Sequence, residues 1–203
     1  MGPLVIAGIL IENDKLDLLK DIGVKDSKLL SPNLRGKMEG QIKEVVKNYA
    51  YSVLNTEIID RAVRSGKKLN SLEAKAMAGL ISKLEPDIVY VDAIGPIAER
   101  FAFSICRNFN SRVKIVAEHK ADTKFPVVSA ASILAKVKRD AMIYELKAKY
   151  GDFGSGYPSD YKTKQFLRKW MKKFGKAPPF ARKSWMSIRR FEFAKLSDFE
   201  SSD

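Results

Sequence analysis

The sequence predicts an α/β domain followed by a small helical appendage, and three observations carry that reading. Short apolar runs of β-forming residues alternate with longer amphipathic stretches as far as about residue 150. With 203 residues and 45% hydrophobic content, the chain can bury one sizeable core. Beyond Gly151 the texture changes to glycine-, proline- and cation-rich segments. The division therefore falls between a domain over residues 1–150 and an extension over residues 151–203.

Residues 3–11 form a continuous apolar run closed by Glu12-Asn13-Asp14, the pattern of a buried strand. A core strand needs a neighbour, so this run predicts a further segment upstream of it. Ser31-Pro32 opens a helix through Asn48, with Ser31 as N-cap, Pro32 at the first helical position and Leu34, Met38, Ile42, Val45 and Val46 on one stripe. Tyr49 to Leu54 reads as a strand. Asn70-Ser71 starts a helix to Leu84 that Glu85-Pro86 ends, and Ile88 to Val91 is a short strand. Ile97 to Phe109 reads as a helix, Lys114 to Ala117 as a strand and Val127 to Lys149 as a long helix of good formers. A Gly-rich loop from Gly151 to Pro158 leads to a basic helix over Thr163 to Phe174 and a Pro- and Arg-rich segment from Pro178 to Arg190. In the basic helix, Phe166, Leu167, Trp170 and Met171 read first as a face that packs it onto the main domain, whatever grip Lys164, Arg168, Lys169, Lys172 and Lys173 add. The last seven residues read as a frayed acidic tail.

Thirty-seven Lys and Arg against 24 Asp and Glu give a net charge of +13, a field that concentrates polyanions. Nucleic acid is the favoured partner, with a generically basic protein as the alternative. One Cys and one His exclude an internal disulfide framework and a Cys/His zinc site. A metal would have to be held by carboxylate oxygen, which points to Mg²⁺ or Mn²⁺. No signal peptide or bilayer-length apolar run is visible, so a cytoplasmic protein without membrane contact is expected, and a monomer.

Asp92 directly follows the strand Ile88 to Val91, and ligands and catalytic groups collect at the carboxyl ends of strands in open α/β sheets. Position alone leaves a turn or helix-cap aspartate as the alternative. Asp122 lies where a loop leads into the long helix, and by position it too could be a loop or capping residue. His119 reads as a strand-end residue, and Glu118 is a weaker metal candidate than Asp122.

The motifs around these residues are more specific. Ala121-Asp122, Phe125-Pro126-Val127-Val128-Ser129-Ala130-Ala131-Ser132-Ile133, Ala135-Lys136-Val137 and Arg139-Asp140 resemble the signature of ribonuclease HII. Lys25-Asp26-Ser27-Lys28-Leu29-Leu30, the helix from Leu69-Asn70 to Tyr90-Val91-Asp92-Ala93, and Gly154-Ser155-Gly156-Tyr157-Pro158-Ser159-Asp160 agree with it in order. The last of these and Arg182-Lys183-Ser184-Trp185 resemble the archaeal branch of the family. The likeness runs over about residues 2 to 190.

The resemblance implies a ribonuclease H-like mixed sheet flanked by helices. It implies an endoribonuclease that cuts the RNA strand of RNA–DNA hybrids, and ribonucleotides embedded in DNA, with four acidic residues around two divalent ions. Two of the four map onto Asp92 and Asp122. The other two belong to an Asp-Glu-Ala-Gly-Arg-Gly motif that the family carries just ahead of the segment matching Gly2 to Gly8. That motif, with its 2′-hydroxyl reader and the family's first strand, is not in this sequence. Tyr157 matches the family tyrosine that packs on the sugar and senses the 2′-hydroxyl. Lys28, Lys136 and Arg139 are assigned to phosphate contact, each with a solvated basic face as its alternative.

Four carboxylates are needed because two close cations repel one another, so two aspartates lead us to expect little or no turnover from the chain as it stands. An active endonuclease encoded from further upstream, a catalytically inactive truncated homologue and a hybrid-duplex-binding scaffold remain as readings. An Asp-Glu-Ala-Gly-Arg-Gly motif encoded ahead of Met1 would separate the first from the others.

Overall fold

The computed structural model describes residues 1–24, 30–109, 113–186 and 188–190. The chain divides into two compact units, one of Val5–Val53 and Lys68–Asp140, the other of Met1–Leu4, Leu54–Lys67 and the described residues from Ala141 onward.

The first unit is α/β. Its strands are β1 (Leu4–Leu10), β2 (Asn48–Leu54), β3 (Ile88–Asp92) and β4 (Lys114–Glu118). Among the described residues these form two pairs, β1 with β2 and β3 with β4, the latter parallel. A short 3₁₀ turn over Asn13–Lys15 and α1 (Leu16–Asp21) follow β1, and α2 (Pro32–Val45) leads to β2. Ser31 Oγ accepts the Leu34 N–H at 3.2 Å, the capping bond that the Ser-Pro pair anticipates. The helix stops three residues short of the expected Asn48. Val46 turns to extended backbone there, and Lys47 N–H bonds to the Leu10 carbonyl at 2.8 Å.

Two helices cover β3 and β4: α4 (Leu69–Leu84) and α5 (Ala98–Cys106). Ala74, Ala78, Ile81, Phe101 and Ile105 meet Val91, with Ile115 and Ala117 packed alongside. Short alanines let α4 lie close to the strand, and each large aliphatic buried here contributes about 1.5–3 kcal/mol. On the other pair, Leu19, Met38 and Ile42 of α1 and α2 meet Ala130, Ile133 and Leu134 of α7 (Pro126–Tyr150), with Ala7 and Ile9 of β1 against them. A Cβ at Gly8 would stand 2.9 Å from Leu84 Cδ1 and 3.6 Å from Leu80 Cβ, so glycine here leaves room for the Leu84 side chain of α4, which a larger residue would displace.

The second unit contains α3 (Thr56–Arg64), the second part of α7 and α8 (Tyr161–Phe174). Its core joins Ile143, Phe153, Leu167, Met171, Phe180 and Ile188. Ring pairs reinforce it, with Tyr150 and Phe180 at 4.6 Å and Phe153 and Phe180 at 5.0 Å between centroids. Such pairs add about 0.5–1.5 kcal/mol each beyond area burial. Leu167 and Met171 thus pack against Ile143 of α7 inside this unit, which also holds Met1–Leu4 and Leu54–Lys67. Asp60 of α3, itself buried, accepts N–H bonds from Lys183 at 2.8 Å and Ser184 at 2.9 Å. That carboxylate ties the Pro- and Arg-rich segment to α3.

Candidate active site

The register of β3 and β4 aligns Asp92 with Glu118, so both strands end at the same edge. The pairing continues one residue further, where Ala93 N–H donates to the Glu118 carbonyl at 2.8 Å. His119 then lies in a turn, and Lys120 takes the left-handed conformation at φ +55°. That reversal starts a single helical turn, α6 (Ala121–Lys124), closed by the Phe125 N–H to the Ala121 carbonyl at 2.8 Å. Pro126, with no N–H to give, then begins α7 afresh.

This turn joins Asp92 to the residue that precedes Asp122. Asp92 Oδ1 accepts the N–H of Ala121 at 3.2 Å, and Ala121 is the residue before Asp122. Asp122 is only 7% exposed, on a helical turn whose first residue is fully buried. The Tyr90 and Phe125 rings, 4.8 Å apart, brace β3 against the end of α6. Glu118, at the end of β4, is taken up in an ion pair with Lys124.

Asp92 and Asp122 are hard oxygen donors, the type that Mg²⁺ and Mn²⁺ prefer. Among the described residues no group of three or more His, Cys, Asp or Glu side chains is placed to hold a metal. Two carboxylates match the charge of one divalent ion that keeps several waters. They do not by themselves neutralise two ions about 4 Å apart.

The basic residues named from the sequence have different surroundings. Lys136 lies part-buried on α7, and Lys28 lies outside the described residues. Arg139 is 12% exposed, with Nη1 3.4 Å from Asp140 Oδ1. Asp140 also receives Arg35 Nη2 at 2.8 Å, while Arg35 Nη1 donates to the Leu30 carbonyl at 2.6 Å. This Arg35–Asp140–Arg139 cluster was not foreseen. Its signal was only the Arg139-Asp140 dipeptide, and the second arginine stands 105 positions away in sequence.

Tyr157 belongs to the second unit, on an exposed loop between α7 and α8. Gly154 and Gly156 take φ +75° and +76°, which lets the chain double back. Asp160 caps α8 by accepting the Lys162 N–H at 2.9 Å, and its other oxygen accepts the Ser155 N–H at 2.6 Å and the Ser155 hydroxyl at 2.7 Å. Buried Thr163 accepts the Gly156 N–H at 2.9 Å and lies 2.8 Å from the Phe153 carbonyl. The Ser155 donors, foremost the N–H, hold the Asp160 carboxyl well below the usual carboxylate range. Asp152 beside it is held low by the Lys162 ammonium, the Gly154 N–H and Lys147.

The parallel pair β3–β4, covered by α4 and α5 and ending beside Asp92, is an α/β arrangement, and comparison with solved structures places it in the ribonuclease H class. The crystal structure of ribonuclease H2 from Pyrococcus horikoshii superimposes with a TM-score of 0.88 at 40% identity, covering 96% of this chain and 92% of that one. Ribonuclease HII in its complex with PCNA from Archaeoglobus fulgidus gives 0.85 at 37% identity, over 94% and 90%. Ribonuclease HII of Pyrococcus furiosus is 46% identical over 194 residues, 95% of this chain and 85% of its own length. That of Methanocella arvoryzae is 44% identical, over 91% and 83%. The family model described as ribonuclease HII matches residues 1–188. The chain belongs to the ribonuclease HII family. As a member it is a ribonuclease H hydrolase, an endonuclease of a family that requires divalent metal.

Proposed function

We propose that this endonuclease hydrolyses the RNA strand of RNA–DNA hybrids, and cuts at ribonucleotides embedded in DNA, with Mg²⁺ or Mn²⁺ held at Asp92 and Asp122. The observation that carries the proposal is the bond from Ala121 N–H to Asp92 Oδ1, which joins the end of β3 to the turn bearing Asp122. The ion, when bound, supplies the Lewis acidity for phosphodiester hydrolysis. The chain's own part is positional. The Ala121 N–H fixes the orientation of Asp92, and burial restricts Asp122, so the donor oxygens are arranged before an ion arrives. Lys28, Lys136 and the small exposed part of Arg139 contact phosphates, which sets the duplex register without reading sequence. Tyr157 packs on the sugar, and its half-exposed ring gives a shape readout of ribose.

The extension over residues 151–203 adds affinity. Residues 161–190 contain eleven Lys and Arg and no Asp or Glu. Such a field attracts the phosphate backbone and makes binding fall with salt. Among the described residues no helix is long and apolar enough to cross a membrane.

The test compares cleavage of an RNA–DNA hybrid, a DNA duplex with one ribonucleotide, an all-DNA duplex and an all-RNA duplex in Mg²⁺ or Mn²⁺. Cuts confined to the first two support the proposal, and cuts in all-DNA duplex contradict it. The second reading is a scaffold that grips hybrid without cutting it, for which the basic extension supplies the grip. Tight binding of hybrid with no metal-dependent product would select it.

A further inference from the structure

We infer that Ser155 and Asp160 are positioning residues that set Tyr157 for contact with ribose. This rests on the reading of Tyr157 as the residue that meets the sugar. An aromatic side chain that is 49% exposed on a loop discriminates one sugar from another only if its backbone is fixed beforehand. The loop supplies that fixation through one carboxylate. Asp160 fills the space where a Cβ of residue 154 would stand, so Gly154 passes directly over it. Its Oδ2 gathers both donors of Ser155, the N–H at 2.6 Å and the hydroxyl at 2.7 Å. The Ser155 oxygen in turn accepts the Tyr157 N–H at 3.4 Å. Meanwhile Oδ1 is committed to the Lys162 N–H, the first turn of a helix anchored by buried Leu167 and Met171.

A continuous path therefore runs from the buried face of α8 through Asp160 and Ser155 to the backbone of Tyr157. The chemistry requires a carboxylate in the middle of it. Oδ2 accepts from two Ser155 donors, and an amide at 160 that kept the cap with its oxygen would turn an NH₂ donor toward them. Ser155 is exposed, so removing its hydroxyl leaves the packing of α8 untouched while cutting the relay to Tyr157.

The test uses the full chain and measures affinity for a labelled RNA–DNA hybrid and for a DNA duplex of the same sequence, without divalent metal. Tyr157→Ala is expected to lower the hybrid-over-DNA affinity ratio by roughly tenfold, the scale of a lost aromatic contact. Ser155→Ala is expected to lower the same ratio by roughly threefold, with DNA-duplex affinity, salt slope and melting temperature unchanged, because the ring stays but is no longer held. Asp160→Asn is expected to fall between them in ratio. If Tyr157→Ala lowers the ratio while Ser155→Ala and Asp160→Asn leave it intact, the positioning role is overturned and the reading of Tyr157 stands. If Tyr157→Ala leaves the ratio intact, both fall.

Discussion

Substituting Asp92 separates its structural duty from its proposed metal duty. Asp92→Asn keeps an oxygen for the Ala121 N–H but removes the charge, whereas Asp92→Ala removes both. Ala121 is fully buried, so in the alanine variant its N–H loses its acceptor away from water, a cost of about 1–3 kcal/mol. The asparagine variant loses under about 1 kcal/mol in metal-free buffer, since one neutral bond replaces one charge-assisted bond. Metal adds a loss that the two variants share. An ion bound with a dissociation constant of about 1 mM stabilises the fold by about 1.4 kcal/mol at roughly tenfold excess over that constant. Both variants are expected to lose that increment. Urea titrations of the three proteins, with and without Mg²⁺, measure each quantity. The reasoning is refuted if Asp92→Asn keeps the whole Mg²⁺ increment, or if Asp92→Ala is no less stable than Asp92→Asn in metal-free buffer.

Three further outcomes are expected. Asp60→Ala strands two N–H groups that the buried carboxylate now accepts, so it costs about 2–4 kcal/mol in a urea titration, and a change under about 0.5 kcal/mol would contradict that role. Asp152 and Asp160 both titrate below the ordinary carboxylate range in the folded state, so their contribution is complete above pH ~4 and is lost as acid protonates them below it. Melting temperature should thus not depend on these two groups between neutral pH and pH ~5, and Asp152→Asn should flatten the fall seen in stronger acid. Lys136→Ala should weaken hybrid and DNA duplexes about equally and reduce the salt slope by about 1, whereas a selective loss of hybrid binding would argue against a phosphate contact.

Local signals made some of this structure legible and left other parts invisible. Ser31-Pro32 marked the start of α2 because capping needs only neighbouring residues. The stretch Asn55 to Arg64 carried a comparable signal, with Asn55 Oδ1 accepting the Ile58 N–H at 2.9 Å, yet it was not read as a helix. Ile58, Ile59 and Val63 are β-branched and masked its periodicity. One turn of helix at Ala121 to Lys124 is too short to show any period, and its start depends on the left-handed Lys120. α8 begins two residues before Thr163, because Asp160 reaches forward to cap it and the Gly-rich loop hid that cap.

The candidate site divides in the same way. Asp92 was legible as a strand-end carboxylate because one apolar run suffices to place it. Its bond to Ala121 depends on the parallel register of β3 with β4, which no local pattern specifies. Arg139 read as a phosphate contact, with a solvated basic face as the alternative. Its burial against Asp140, shared with Arg35 from α2, follows only from the packing of α2 on α7.

Cleavage by site variants tests the central claim most directly. The wild-type chain, Asp92→Asn and Asp122→Asn are incubated with a labelled DNA duplex carrying one ribonucleotide, in Mg²⁺ and then Mn²⁺, with single-turnover product followed over time. Expected is at most slow cleavage at the ribonucleotide by the wild-type chain, because two carboxylates serve one ion better than two, and no product above background from either variant. Undiminished cleavage in either variant would contradict the assignment of these two aspartates.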